Sequence, residues 1–220
     1  MKQWLNTIRK PGAKSSTILQ VRNSFLILLL GAALGVFSKW LDTTSISAGI
    51  WWQNVLGSID LGNILSALPI LLVIALAISI YSRTALRASL NVFLFFLGMI
   101  CAYHLFTQAF TSFNPQENMT IWYSFTLASP ILAFISWYAK GIRLPSLIIS
   151  IFILGVMAAL TFNAGFWYLY IFSPTHILLF IVAALILYVS PLHSVISIIG
   201  AAMISPYLLL FWLIFSDTLF

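Results

Sequence analysis

The chain has 220 residues, of which 62% are hydrophobic and only 6% charged, with a formal net charge of +6. A soluble domain of this size is nearer half apolar and about a quarter charged, so a water-exposed globular surface is excluded and the solvent must mostly be lipid. The mean hydropathy of +1.07 agrees.

In hydrocarbon, backbone polar groups are satisfied only within helices or closed barrels. Barrel strands alternate apolar and polar residues, whereas the apolar runs here are long and continuous, so the fold expected is all-α, a polytopic transmembrane helix bundle. Residues 1–23 form a basic tail and 24–220 a single transmembrane domain. A span needs about 20 apolar residues, and seven candidates follow, at about 24–41, 64–82, 88–110, 120–139, 145–163, 175–190 and 193–214.

In the tail, Trp4, Leu5 and Ile8 stand beside Lys2, Arg9 and Lys10, and Pro11-Gly12 follows. The pattern suggests either a short interfacial helix stopped by a turn, its basic groups drawn to anionic headgroups by about 1 kcal/mol each, or an orientation signal alone. The run Ser24–Phe37 is followed by Lys39, Trp40 and Asp42 before any small-residue cleavage pattern, which reads as a retained signal-anchor and not a cleaved leader.

The first span carries Gly31-Ala-Ala-Leu-Gly35. Small residues four apart let two helices approach closely, and the neighbour is either a helix of this chain or a partner membrane subunit. Lys39 and Asp42, three residues apart at the far end of that span, can share a helical face and pair. The third span holds His104 and Gln108 one turn apart, Thr107 and Thr111 beside them, and Asn91 nearer its start. Polar and ionisable groups at membrane depth default to functional hypotheses. Trp122-Tyr123 and Trp137-Tyr138 mark the two ends of the fourth span as interfacial belts about 22 Å apart. Pro69, Pro130 and Pro206 interrupt spans two, four and seven, and Ser129-Pro130 and Ser205-Pro206 are alike. Cys101, the single cysteine, reads as a small buried hydrophobe.

The charges then orient the bundle. Lys2, Arg9, Lys10, Lys14, Arg22, Arg83, Arg87, Lys140 and Arg143 fall on one side of a seven-span arrangement. Asp42, Asp60, Glu117 and Asp217 fall on the other. Lys and Arg favour the cytoplasm, so the N-terminus is expected inside and the C-terminus outside, with Lys39 the one basic residue on the outer side. This orientation accounts for the positive charge without a nucleic-acid-binding face. No nucleophile–base pair, buried carboxylate pair, H-E-x-x-H or phosphate loop is present in the sequence. No catalytic residue, metal site or cofactor is therefore expected.

Three segments carry a resemblance: Gly31 to Asp42; Tyr81-Ser82-Arg83 with Ala88 to Met99; and Ser129-Pro130 with Trp137 to Gly141. They resemble small multi-pass membrane proteins of bacteria, mainly Gram-positive ones, a group without an assigned activity. The resemblance implies a bacterial plasma membrane protein and carries over no catalytic residue. The substrate-binding subunits of energy-coupling-factor vitamin transporters are similar in size, hydrophobicity and outward-facing site, but usually have six spans and a cytoplasmic C-terminus.

The function expected is a non-enzymatic small-solute binding or transport component. Its outward site would be built from Lys39, Asp42, His104, Gln108, Asn163 and Trp167. The alternative is a scaffold or partner subunit docking through Gly31 and Gly35.

Overall fold

The computed structural model describes residues 2–13, 16–43, 68–110, 116–162, 170 and 174–219. All regular structure among them is helical. In chain order the helices are α1 (Lys2–Ile8), α2 (Thr17–Thr43), α3 (Leu68–Tyr81), α4 (Ala85–Phe110), α5 (Gln116–Trp137), α6 (Leu144–Phe162), α7 (Pro174–Ile186) and α8 (Pro191–Leu219), with a single 3-10 turn at Tyr138–Lys140. Helices α2 to α8 fall in order on the seven apolar runs. Among the described residues, four contain segments long and apolar enough to cross a membrane: Thr17–Trp40, Ala85–Phe110, Leu144–Phe162 and Pro191–Phe211. Helices α3 and α7 are shorter, at 14 and 13 residues.

The helix starts follow from capping. The Ser16 hydroxyl accepts from the Leu19 amide at the head of α2, Thr84 from Arg87 at the head of α4, and Ser190 from His193 at the head of α8. Each satisfies an amide that the helix itself cannot. Because of the Ser16 cap, α2 starts at Thr17, well before the apolar run at Ser24, and takes in the end of the segment read as tail.

Helix α3 is apolar on every side, as befits a helix buried all round. It gives Leu71 and Ala75 to a core shared with Val92, Phe95 and Phe96 of α4 and Ala133 of α5. It gives Val73, Leu76 and Ile80 to a second core with Leu154 and Met157 of α6, Ala183 and Ile186 of α7 and Ala201 of α8. The other helices pack around it, and α2 and α8 turn rows of apolar side chains outward, among them Phe25, Leu26, Leu29, Ile199 and Met203. In hydrocarbon such a face carries no penalty. Cys101 is exposed on α4 and not buried as the sequence suggested.

The tightest helix contact joins α2 to α4. A Cβ on Gly31 would collide with the Phe95 carbonyl, one on Gly35 with the Met99 carbonyl, and one on Gly98 with the Leu28 carbonyl. Glycines on both helices thus bring the two backbones into direct contact. The Gly31/Gly35 face is covered by α4 of the same chain.

The two internal prolines share one repair. Pro130 deprives the Thr126 carbonyl of its donor, and the Ser129 hydroxyl donates to that carbonyl at 2.8 Å. Pro206 does the same to Ala202, and Ser205 donates there at 3.2 Å. The Ser-Pro likeness in the sequence is therefore a local hydrogen-bond device.

Gly31→Ala and Gly98→Ala should each lower stability by about 1–3 kcal/mol, the usual range for overpacking. The check is thermal unfolding in detergent, with Gly12→Ala as a control, since a Cβ there meets its nearest neighbours at an ordinary 3.6 Å.

Candidate binding site

The basic segments gather at one end of the bundle, held there by Arg9. After α1 the chain passes beneath the ends of α3 and α5. The Arg9 guanidinium donates to the Ile80 carbonyl at 2.8 Å and to the Trp137 carbonyl. These belong to the last turns of α3 and α5, where carbonyls have no intrahelical donor and the helix dipole is negative. The guanidinium also lies 4.3 Å from the Trp137 ring centroid, a cation–π distance. The Trp137 indole N–H in turn donates to the Ser82 carbonyl at 2.7 Å.

Beside this staple, Ile8 is buried with Ala85, Ala88, Trp137 and Tyr138. Gly141 makes room: a Cβ there would strike the Ile8 carbonyl and the Ser146 hydroxyl. Burial lowers the Arg9 pKa from its ordinary value, but an arginine starts so high that it keeps its charge through the neutral range. The sequence set Trp137 and Tyr138 in an interfacial belt. In the bundle they are only 1% and 8% exposed, because α1 and the α3–α4 turn cover them.

The tail continues as a strap. The Gly12 amide donates to the Arg83 carbonyl at 2.8 Å, and the Arg83 side chain donates back to the Ala13 carbonyl at 3.0 Å. Between this strap, the first turns of α2, the end of α3 and the head of α4 lies a half-open cleft of about 320 Å³. Gln20, Asn23 and Ser24 form its α2 wall, and Arg83, Thr84, Arg87 and Asn91 the opposite one. Ile27 and Ile78 add apolar lining.

A relay of hydrogen bonds sets the shape of the walls. Ser24 donates to Asn91 at 2.8 Å, the Asn91 amide donates to Ser82 at 3.2 Å, and Ser82 donates to the Ile78 carbonyl at 2.7 Å. It joins α2, α4 and α3 with each group satisfied. Arg87 reaches across to the Gln20 side-chain oxygen. Both cleft arginines thus bond to neutral oxygens.

Of the outward site expected from the sequence, Lys39, His104 and Gln108 lie at the opposite end. The Lys39 ammonium stands 5.3 Å from the Tyr103 ring centroid. His104 is hydrogen-bonded to the Tyr123 hydroxyl and stacked on its ring at 5.7 Å and 7°. Lys39 and His104 are thereby brought to one aromatic cluster on α2, α4 and α5, with Gln108 exposed one turn further along α4. Asp42 lies in the last turn of α2 and its side chain is outside the described set; Asn163 and Trp167 lie outside the described residues. No group of metal-ligating side chains occurs among the described residues.

Of the cleft residues, sequence reasoning marked only Asn91 as a candidate and took Arg83 and Arg87 for orientation signals. One signal was available: Ser82, Arg83, Thr84, Arg87 and Asn91 crowd polar groups around the head of α4. No protein family, curated protein or solved structure matches the chain.

Replacing Arg9 by Ala should release α1 and the strap. The amides of residues 2–13 should then exchange hydrogen about tenfold faster or more, the scale of losing hydrogen bonds from a charged donor. Arg9→Lys should rescue only part, because an ammonium cannot span two carbonyls as a planar fork does. Exchange mass spectrometry checks both variants, and the Arg9→Ala difference should stay constant from pH 6 to pH 8.

Proposed function

We propose that the chain is a seven-span protein of the bacterial plasma membrane, with its tail-bearing end in the cytoplasm and its C-terminus outside. It serves as a non-enzymatic component that binds or transports a small solute. Orientation is supported by the basic residues of the tail, the α3–α4 turn and the α5–α6 turn, since Lys and Arg favour the cytoplasmic side. At 14 and 13 residues, α3 and α7 rise about 21 and 20 Å. Bilayer thinning around such short segments has a modest energetic cost.

The observation that carries the binding reading is the cleft. Its volume of about 320 Å³ lies at the small end of the range for ligand pockets. Its lining combines a few convergent polar groups with apolar side chains. The two guanidiniums on its lining favour a solute bearing negative charge. In the proposed orientation this site opens toward the cytoplasm.

The convergence of Lys39, Tyr103, His104 and Tyr123 favours a second, outward-facing reading at the other end. A scaffold that docks through Gly31 and Gly35 would have to displace α4 from that face.

Native mass spectrometry of the gently solubilised protein, with thermal-shift screening of small anions, tests these readings. Asn23→Trp narrows the cleft without touching the hydrogen-bond relay and should abolish ligand retention. Lys39→Ala with His104→Ala should leave it intact. The reverse pattern would move the site to the outer end. A protein that retains and responds to no small molecule would remove the binding reading.

A further inference from the structure

The geometry points to a phosphate ester as the occupant of the tail-end cleft, held between Arg83 and Arg87 at the head of α4, an assignment that rests on the binding reading above. Four observations converge on it. Each guanidinium has five N–H donors, and among the described residues each donates one hydrogen bond, Arg83 to Ala13 and Arg87 to Gln20. Both acceptors are neutral and can yield to an anion. The planar fork of arginine matches the paired oxygens of a phosphate, and two forks facing one cavity suit a tetrahedral group with several charged oxygens better than a carboxylate with two.

Thr84, which caps α4, and Arg87, in its first turn, both line the cleft. The positive end of a 26-residue helix is thus at the same place. Asn23 and Ser24 supply further polar lining for the ester or sugar oxygens, while Ile27 and Ile78 can receive an apolar portion.

Two sources present this chemistry at the end of a membrane bundle: the headgroup of an anionic phospholipid, or a free phosphorylated small molecule. The apolar lining and the outward apolar face of α2 close by suit a phospholipid whose chains run along α2. A free ester would use the polar rim alone.

The full-length protein purified in mild detergent is titrated, in native mass spectrometry, with phosphatidylglycerol, phosphatidylcholine and glycerol 3-phosphate. Arg83→Gln and Arg87→Gln are compared with Arg22→Gln, a change at an exposed residue of α2 that does not line the cleft. Phosphatidylglycerol should bind more tightly than phosphatidylcholine, and each cleft variant should weaken it about tenfold or more, with Arg22→Gln unchanged. Competition by glycerol 3-phosphate at the same two arginines, without lipid selectivity, would assign the free ester as the source.

Equal weakening by Arg22→Gln and Arg87→Gln, or no phosphate-bearing probe bound, would overturn the assignment. A different anion retained by the wild type and lost in Asn23→Trp would overturn it while leaving the binding reading standing. Unchanged melting temperatures confirm that the glutamine variants are folded. If either variant is unfolded, Arg87→Lys takes its place, since a lysine keeps the charge and loses the fork.

Discussion

The backbone contact between α2 and α4 sets the geometry on which the rest of the molecule depends. Gly31, Gly35 and Gly98 remove the side chains that would hold the two helices apart. Membrane helices gain no hydrophobic benefit from meeting each other, so close packing and hydrogen bonding must do the work. Once the glycines bring the axes together, the register of the pair is fixed along its length. Two turns toward the tail, Ser24 comes within hydrogen-bond reach of Asn91, and a turn further Gln20 comes within reach of Arg87. The same register brings Lys39 over Tyr103 at the other end. Both candidate sites are therefore read off one helix pair.

The tail end shows how polar groups are managed where helices stop. Two helix C-termini, those of α3 and α5, converge there and leave carbonyls with no intrahelical donor. In lipid each orphan carbonyl would cost several kcal/mol. A single guanidinium satisfies one carbonyl from each helix, and its charge suits both dipoles. It also stacks on the indole whose N–H closes the α3–α4 turn. The tail is thus part of the bundle, and its basic residues have two roles: Arg9 and Arg83 anchor the chain on the same face that the positive-inside pattern would leave in the cytoplasm.

Much of the architecture was legible in the sequence because lipid is an undemanding solvent. Continuous apolar runs had to be helices, and helices α2 to α8 follow them in order. Gly31 and Gly35 announced a close contact, and the structure identifies its other half, Gly98, which lies alone in span three without a spacing motif. The cleft was illegible for a different reason. Its walls come from the tail, the start of α2, the end of α3 and the head of α4, and in each segment the polar residues have an ordinary local explanation. Arg83 and Arg87 look like topology signals, Thr84 a helix cap, Ser24 a tolerated hydroxyl. Only the glycine-set register shows that they share a cavity. The burial of Trp137 was illegible for a related reason, because only the fold shows that the tail covers this helix end.

The strap and the cleft cannot be treated as separate devices. Gly12 and Ala13 are at once wall residues of the cavity and hydrogen-bond partners of Arg83. Arg9, only a few residues earlier, fixes where that strap can lie. An anion that draws Arg83 away from the Ala13 carbonyl loosens the strap at one point while the Gly12–Arg83 backbone bond holds it at another. If the proposed anion occupies the cleft, its binding and the docking of the tail would bias one another through a shared arginine, and by linkage each would change the affinity of the other by the same factor. Such a coupling would need no path through the membrane-spanning core. It is local to the end of the bundle where the basic residues gather, where a solute from the aqueous side and a headgroup from the bilayer would both meet the protein.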